Sequence, residues 1–173
     1  MAIVVNPQIA GGLSQVGRDF FVDTSTSTGT TSVAEQILKQ VAIPAGLITS
    51  ARYFCIRALW SKSGTTDNVT PVRIRLGTAG TVADASIASS NSFLAANRSY
   101  VTESWFTATD ATTLRLMTGN FASSFHTTVG TTAIPINAAI PDMSANNLIL
   151  TLSATMAGTT DTPSVNNLII VVG

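Results

Sequence analysis

An antiparallel β-sandwich is the fold class this sequence predicts, and three observations predict it. Short apolar segments of strand length run from residue 32 onward, and the clearest alternate apolar and polar side chains with period two. Between them lie turn clusters rich in Gly, Ser, Thr and Asn, such as 61–68, 77–80 and 157–162. The connections are too short for the crossover helices that parallel strands need. About eight strands fit into residues 32–173, and the eight-stranded jelly roll is the simplest all-β fold of that size.

The elements follow in order. Residues 1–31 stand apart as an extended N-terminal arm: an apolar tip from Ala2 to Val5, then Pro7, Gly11-Gly12, Phe20-Phe21-Val22-Asp23 and a Ser/Thr tract from Thr24 to Thr31. Such a polar tract buries too little to offset its ordering entropy. Residues 34–43 fit a helix through Val33, Ile37, Leu38 and Val41, or a strand through Ile37, Val41 and Ile43; Pro44-Ala45-Gly46 ends either. Residues 51–60 form a strand with Tyr53, Cys55 and Leu59 on one face and Phe54, Ile56 and Trp60 on the other. Residues 69–76 alternate, with Val72, Ile74 and Leu76 inward and Arg73 and Arg75 outward; Pro71 suits a strand start or an edge. Further strands are predicted at 98–106, 112–117, 131–136, 147–154 and 166–172. The last is apolar on both faces from Leu168 to Val172, as in a core strand or one at a subunit seam.

Composition narrows the function. Of 173 residues, 45% are hydrophobic but only 10% are charged, against about 25% in an ordinary soluble domain. So few charges suit a chain that covers much of its surface with neighbours. Nine basic and nine acidic residues cancel, and Arg73 with Arg75 is the densest basic feature. Phosphate-backbone binding needs more cations on one face, so nucleic acid is not an expected partner. No apolar run reaches the length of a membrane span. The N-terminus lacks a charged n-region and long apolar h-region, so synthesis and retention in a cytoplasm are expected. A single cysteine, Cys55, excludes an intrachain disulfide.

Catalysis finds little support. Metal-dependent jelly-roll enzymes use two or three histidines with a carboxylate, and His126 is the only histidine. A nucleophile–histidine pair would need Cys55 or a serine beside His126, yet Cys55 lies mid-strand among apolar residues, where a thiol is ordinarily a small core side chain. His126 lies in the loop-like stretch Ser123–Thr128. Glu103 and Asp110 could be paired as glycosidase carboxylates, but any chain with nine acids offers such pairs. No GxGxxG, P-loop or Asp-rich calcium loop is present. No catalytic, cofactor or metal residues are therefore assigned. A sugar-binding module would use exposed aromatic platforms. Trp60 and Trp105 are the candidates and Tyr100 is compatible, although aromatics at strand ends more often cap a core.

The stretch from Glu35 to Gly77 resembles jelly-roll structural proteins of tailed bacteriophages. The matching pieces are Ile43-Pro44-Ala45-Gly46-Leu47, the aromatic strand Tyr53–Trp60, and Arg73-Ile74-Arg75-Leu76-Gly77. The Ser/Asn-rich loop after Gly77, the strand Asn147–Thr155 and the Asp161 loop are also similar, so the likeness spans residues 32–173. The resemblance implies a virion building block: a head decoration (cement) protein, a fibre or tailspike-associated subunit, or a neck component. It also implies a homotrimer, docking on the major capsid protein or other virion proteins, and assembly in the bacterial host cytoplasm. No catalytic residue comes with it. Self-association would use the arm tip Ile3, Val4 and Val5, Phe20 and Phe21, and the final strand through Ile170 and Val172.

Overall fold

A computed structural model describes residues 19–90, 98–117 and 137–173. Among these residues every regular element is a strand: β1 Asp19–Asp23, β2 Ser27–Thr28, β3 Gln36–Ile43, β4 Tyr53–Lys62, β5 Val69–Gly77, β6 Ala85–Ser90, β7 Ser99–Asp110, β8 Thr113–Leu116, β9 Asn137–Ala139, β10 Leu148–Met156 and β11 Pro163–Val172. They form two antiparallel sheets. The large sheet runs β1–β11–β4–β7–β8–β9, with β2 also against β11, and the small sheet runs β3–β10–β5–β6. The two pack face to face as the predicted β-sandwich. The predicted strand at 131–136 lies outside the described residues.

Period-two alternation places the core. Phe54, Ile56, Ala58 and Trp60 of β4 and Leu168, Ile170 and Val172 of β11 face Val72, Ile74 and Leu76 of β5 and Leu148, Leu150 and Leu152 of β10 within one buried cluster. Arg73 and Arg75 point the other way, as their alternation predicts.

Residues 36–43 are a strand, and their mixed periodicity has a cause. The β3–β10 register slips so that Lys39 pairs Leu152 and Ile37 pairs Ser153, leaving Leu38 as a bulge. Two successive side chains, Leu38 and Lys39, are therefore buried, and Ile37 is exposed. One extra residue in a period-two pattern imitates part of a helical one.

The arm needs correction where it is described. Phe20 to Asp23 pair with Leu168 to Val171 of β11, and Ser27 and Thr28 pair with Val165 and Ser164. Phe21 packs on the core. The Ser/Thr tract finds its own partners: Ser25 donates its amide and its hydroxyl to Asp23, and Gln36 bonds Thr30 through both amide atoms. Lys39, turned inward next to the bulge of β3, pairs with Asp23 at 3.0 Å and donates to the Ser25 carbonyl, which ties the two sheets along this edge. Residues 19–31 thus belong to the sandwich, and residues 1–18 lie outside the described residues.

Candidate interaction surface

The outward face of the large sheet is the feature most in need of a function. Cross-strand register sets Phe20, Val171, Cys55 and Trp105 in line across β1, β11, β4 and β7. Met117 extends the line, since its amide donates to the Trp105 carbonyl at 2.7 Å. The next row is Val22, Ile169, Arg57 and Glu103, and the one after it is Asn167, Leu59 and Val101. Phe20, Val22 and Met117 are 38%, 51% and 44% exposed, and Ile169, Val171, Leu59, Val101 and Trp105 are half-buried. Alternation sends each of them away from the core. An apolar band therefore crosses β1, β11, β4 and β7 and reaches Met117 just beyond β8, on a face that the described residues leave open.

Arg57 and Glu103 sit side by side in the middle of this band. Their charged atoms are 3.9 Å apart and both side chains are well exposed. Trp105 donates its indole N–H to Glu103 at 2.8 Å and its ring lies 5.3 Å from that of Tyr53. Cys55 is buried beneath the band, and burial, reinforced by the charge of Glu103, pushes its thiol up to about 12. A thiol held protonated is a poor nucleophile.

The residues proposed from sequence separate into groups. Phe20 is on the open face. Phe21, Ile170 and Val172 are not: they point into the chain's own core, with Ile170 and Val172 at 2% and 1% exposure. Their neighbours Ile169 and Val171 are the outward residues of that strand. Trp60 is 1% exposed and donates its indole N–H to Thr102, so it cannot serve as a sugar platform. Tyr100 is likewise core. Trp105 alone of the aromatic pair reaches the surface. Ile3, Val4, Val5 and His126 lie outside the described residues. Among the described residues no cluster of His, Cys, Asp and Glu is arranged to hold a metal ion.

The outward face of the small sheet is built differently. Glu35 crosses it and accepts hydrogen bonds from Arg73 and Arg75, each at 2.9 Å, and from the Ser153 hydroxyl. Arg75 also donates to the Asp84 carbonyl, and Gln40 to that of Gly80. Burial alone would raise the Glu35 carboxyl. The hydrogen bonds from Arg75 and Ser153 and the charges of Arg75 and Arg73 outweigh it and hold the group below its ordinary value. Thr151, beneath this cover, has a fully buried hydroxyl without a partner.

At one end, the loops β4–β5 and β10–β11 brace each other. Both carry the same four residues, Gly64-Thr65-Thr66-Asp67 and Gly158-Thr159-Thr160-Asp161. Asp161 accepts the amides of Thr66 and Asp67, and Asp67 accepts those of Thr160 and Asp161. Each glycine packs against the opposite aspartate so closely that a Cβ would overlap its carboxylate. The buried Lys62 ammonium lies 3.6 Å from Asp161 and donates to the Asp67 carbonyl. The repeated tetrapeptide was the signal available in the sequence. It is shorter than the 20–50-residue periods by which repeat folds are recognised.

No family model matches the chain, and searches of curated proteins and of solved structures return no match.

Proposed function

We propose that the chain is a non-enzymatic structural subunit of a tailed-bacteriophage virion, and within it a head decoration or cement protein that self-associates and docks on the capsid shell. The observation that carries the reading is the open apolar band on the large sheet of a chain with only 10% charged residues. Apolar side chains gathered on one outward face mark association with another surface. The resemblance of residues 35–77 supplies the virion context on the head. The mechanism is mechanical: small interfaces, repeated by symmetry, add up to a shell that resists internal pressure.

Immunogold electron microscopy tests this, using antibodies raised against the purified chain and particles from cultures that produce it. Label over the head surface is the expected result. Particles that carry no label anywhere overturn the virion reading. Label confined to the neck or tail moves the chain to the second reading, a fibre-, tailspike- or neck-associated subunit that contacts a host glycan. Trp105 beside Tyr53, with Glu103 and Arg57 at its edge, is the observation that favours it. Glycan binding that is lost in Trp105→Ala would support that second reading.

A further inference from the structure

We infer that the outward face of the large sheet receives the same face of a second copy of this chain, related by a two-fold axis that runs along the strands midway between β4 and β7. This rests on the self-association part of the proposed function and names the surface that carries it.

The face is self-complementary. Arg57 and Glu103 are directly paired across β4 and β7, one on each side of the proposed axis. Rotation about that axis sets Arg57 opposite Glu103 of the second copy, and Glu103 opposite Arg57. A two-fold axis across the strands at the same row would instead set Arg57 against Arg57 and Glu103 against Glu103, at a cost in like-charge repulsion. The same rotation carries the part of the apolar row from Val171 to Met117 onto itself in reverse order. Trp105 then meets Cys55, and Met117, just beyond β8, meets Val171 of β11. A closed two-fold interface requires this pattern, in which each side supplies both halves of every contact. Sheets that pack face to face keep their strands roughly aligned, and their twist displaces the outer strands most and the central pair least. The ion pair of this face lies on the central pair of strands, where that register is best preserved. The intrachain pair is exposed, and pairs of this kind contribute little to folding.

Charge reversal separates this arrangement from a merely structural pair. Sedimentation equilibrium on the full chain is expected to give a dimer. Arg57→Glu sets carboxylates against carboxylates across the axis, and Glu103→Arg sets guanidinium groups against guanidinium groups. Each variant alone should therefore dimerise roughly tenfold or more weakly. Mixed one to one, the two variants place every charge opposite its complement, and a heterodimer of wild-type affinity should return. Circular dichroism melts close to wild type will confirm that both variants fold. A dimer indifferent to either reversal, or variants that fail to recover on mixing, overturns the proposed face. So does a trimer unaffected by both reversals, although self-association then stands through another surface. A monomer at every concentration removes the face and the self-association with it, leaving the virion location to the immunogold result.

Discussion

The two outward faces of this sandwich are finished in opposite ways. On the small sheet, Glu35 reaches across β10 to the two arginines of β5, and Ser153, Gln40 and the 77–84 loop complete a polar cover that the chain supplies itself. The large sheet carries the exposed Arg57–Glu103 pair set among Phe20, Val22, Ile169, Val171, Leu59, Val101 and Met117. Both sheets have the same alternating strands and share one core, so the strand pattern does not cause the difference. It comes from which side chains stand on the outward positions. A face with its hydrogen bonds satisfied internally has little to gain from a partner, whereas an apolar face gains in proportion to the area it removes from water.

The largest effect should come from opening the closed face. Glu35→Ala leaves Arg73, Arg75 and Ser153 without their shared acceptor, and Arg75 is mostly buried. Removing one partner of such a network should cost about 2–3 kcal/mol in urea unfolding. The pH dependence sharpens the assignment. The folded state holds the Glu35 carboxyl below its ordinary 4.5, so its contribution is complete above that pH and is lost as pH falls through the lower folded value. Asp23, lowered to about 2 by hydrogen bonds from Ser25 and then by Lys39, acts in the same direction. The stability gap between wild type and Glu35→Ala should therefore be constant from about pH 8 to 5 and narrow below pH 4.5. A gap that widens in acid would contradict the network.

Thr151→Val should be smaller and of opposite sign. The hydroxyl of Thr151 is fully buried beneath the Glu35 cover without a partner, and valine keeps the shape while removing the unsatisfied group. A gain of up to about 1 kcal/mol is expected in the same unfolding measurement. A loss of that size would mean that the hydroxyl is satisfied in solution.

How much of this was legible in the sequence depends on where a second strand was needed to decide. The sandwich class, the two faces of β4 and the inward set of β5 followed from alternation alone. The bulge at Leu38 blurred β3 because one inserted residue moves every later side chain to the other face. In β6, with only Ile87 as a large apolar residue among Ala and Ser, no periodicity could emerge. The run Leu168–Val172 is apolar at every position, so only its register with β4 and β1 shows that Ile169 and Val171 face outward and that Ile170 and Val172 do not. Residues 19–31 read as an arm because Ser and Thr bury little, yet β1 and β2 pair with β11 and the tract between and after them bonds to Asp23, Gln36 and Lys39. Trp60 was already on the face of Phe54 and Ile56 by alternation, and that placement outweighs its position near a strand end.

The smallest effect tests the open face. Arg57→Ala removes one member of a pair at 3.9 Å whose side chains are 57% and 43% exposed. Water already solvates both charges and competes with their attraction, so monomer stability should change by no more than about 0.5 kcal/mol. The contrast with Glu35→Ala carries the information, because both substitutions delete one charge from an ion pair on the outward side of a sheet. If Arg57→Ala proves as costly as Glu35→Ala, the band around it is held as firmly as the closed face, and no partner is needed to complete it. If the substitution is nearly silent in the dilute monomer, the pair contributes little to folding, and its place at the centre of an apolar face must be explained by what meets it there.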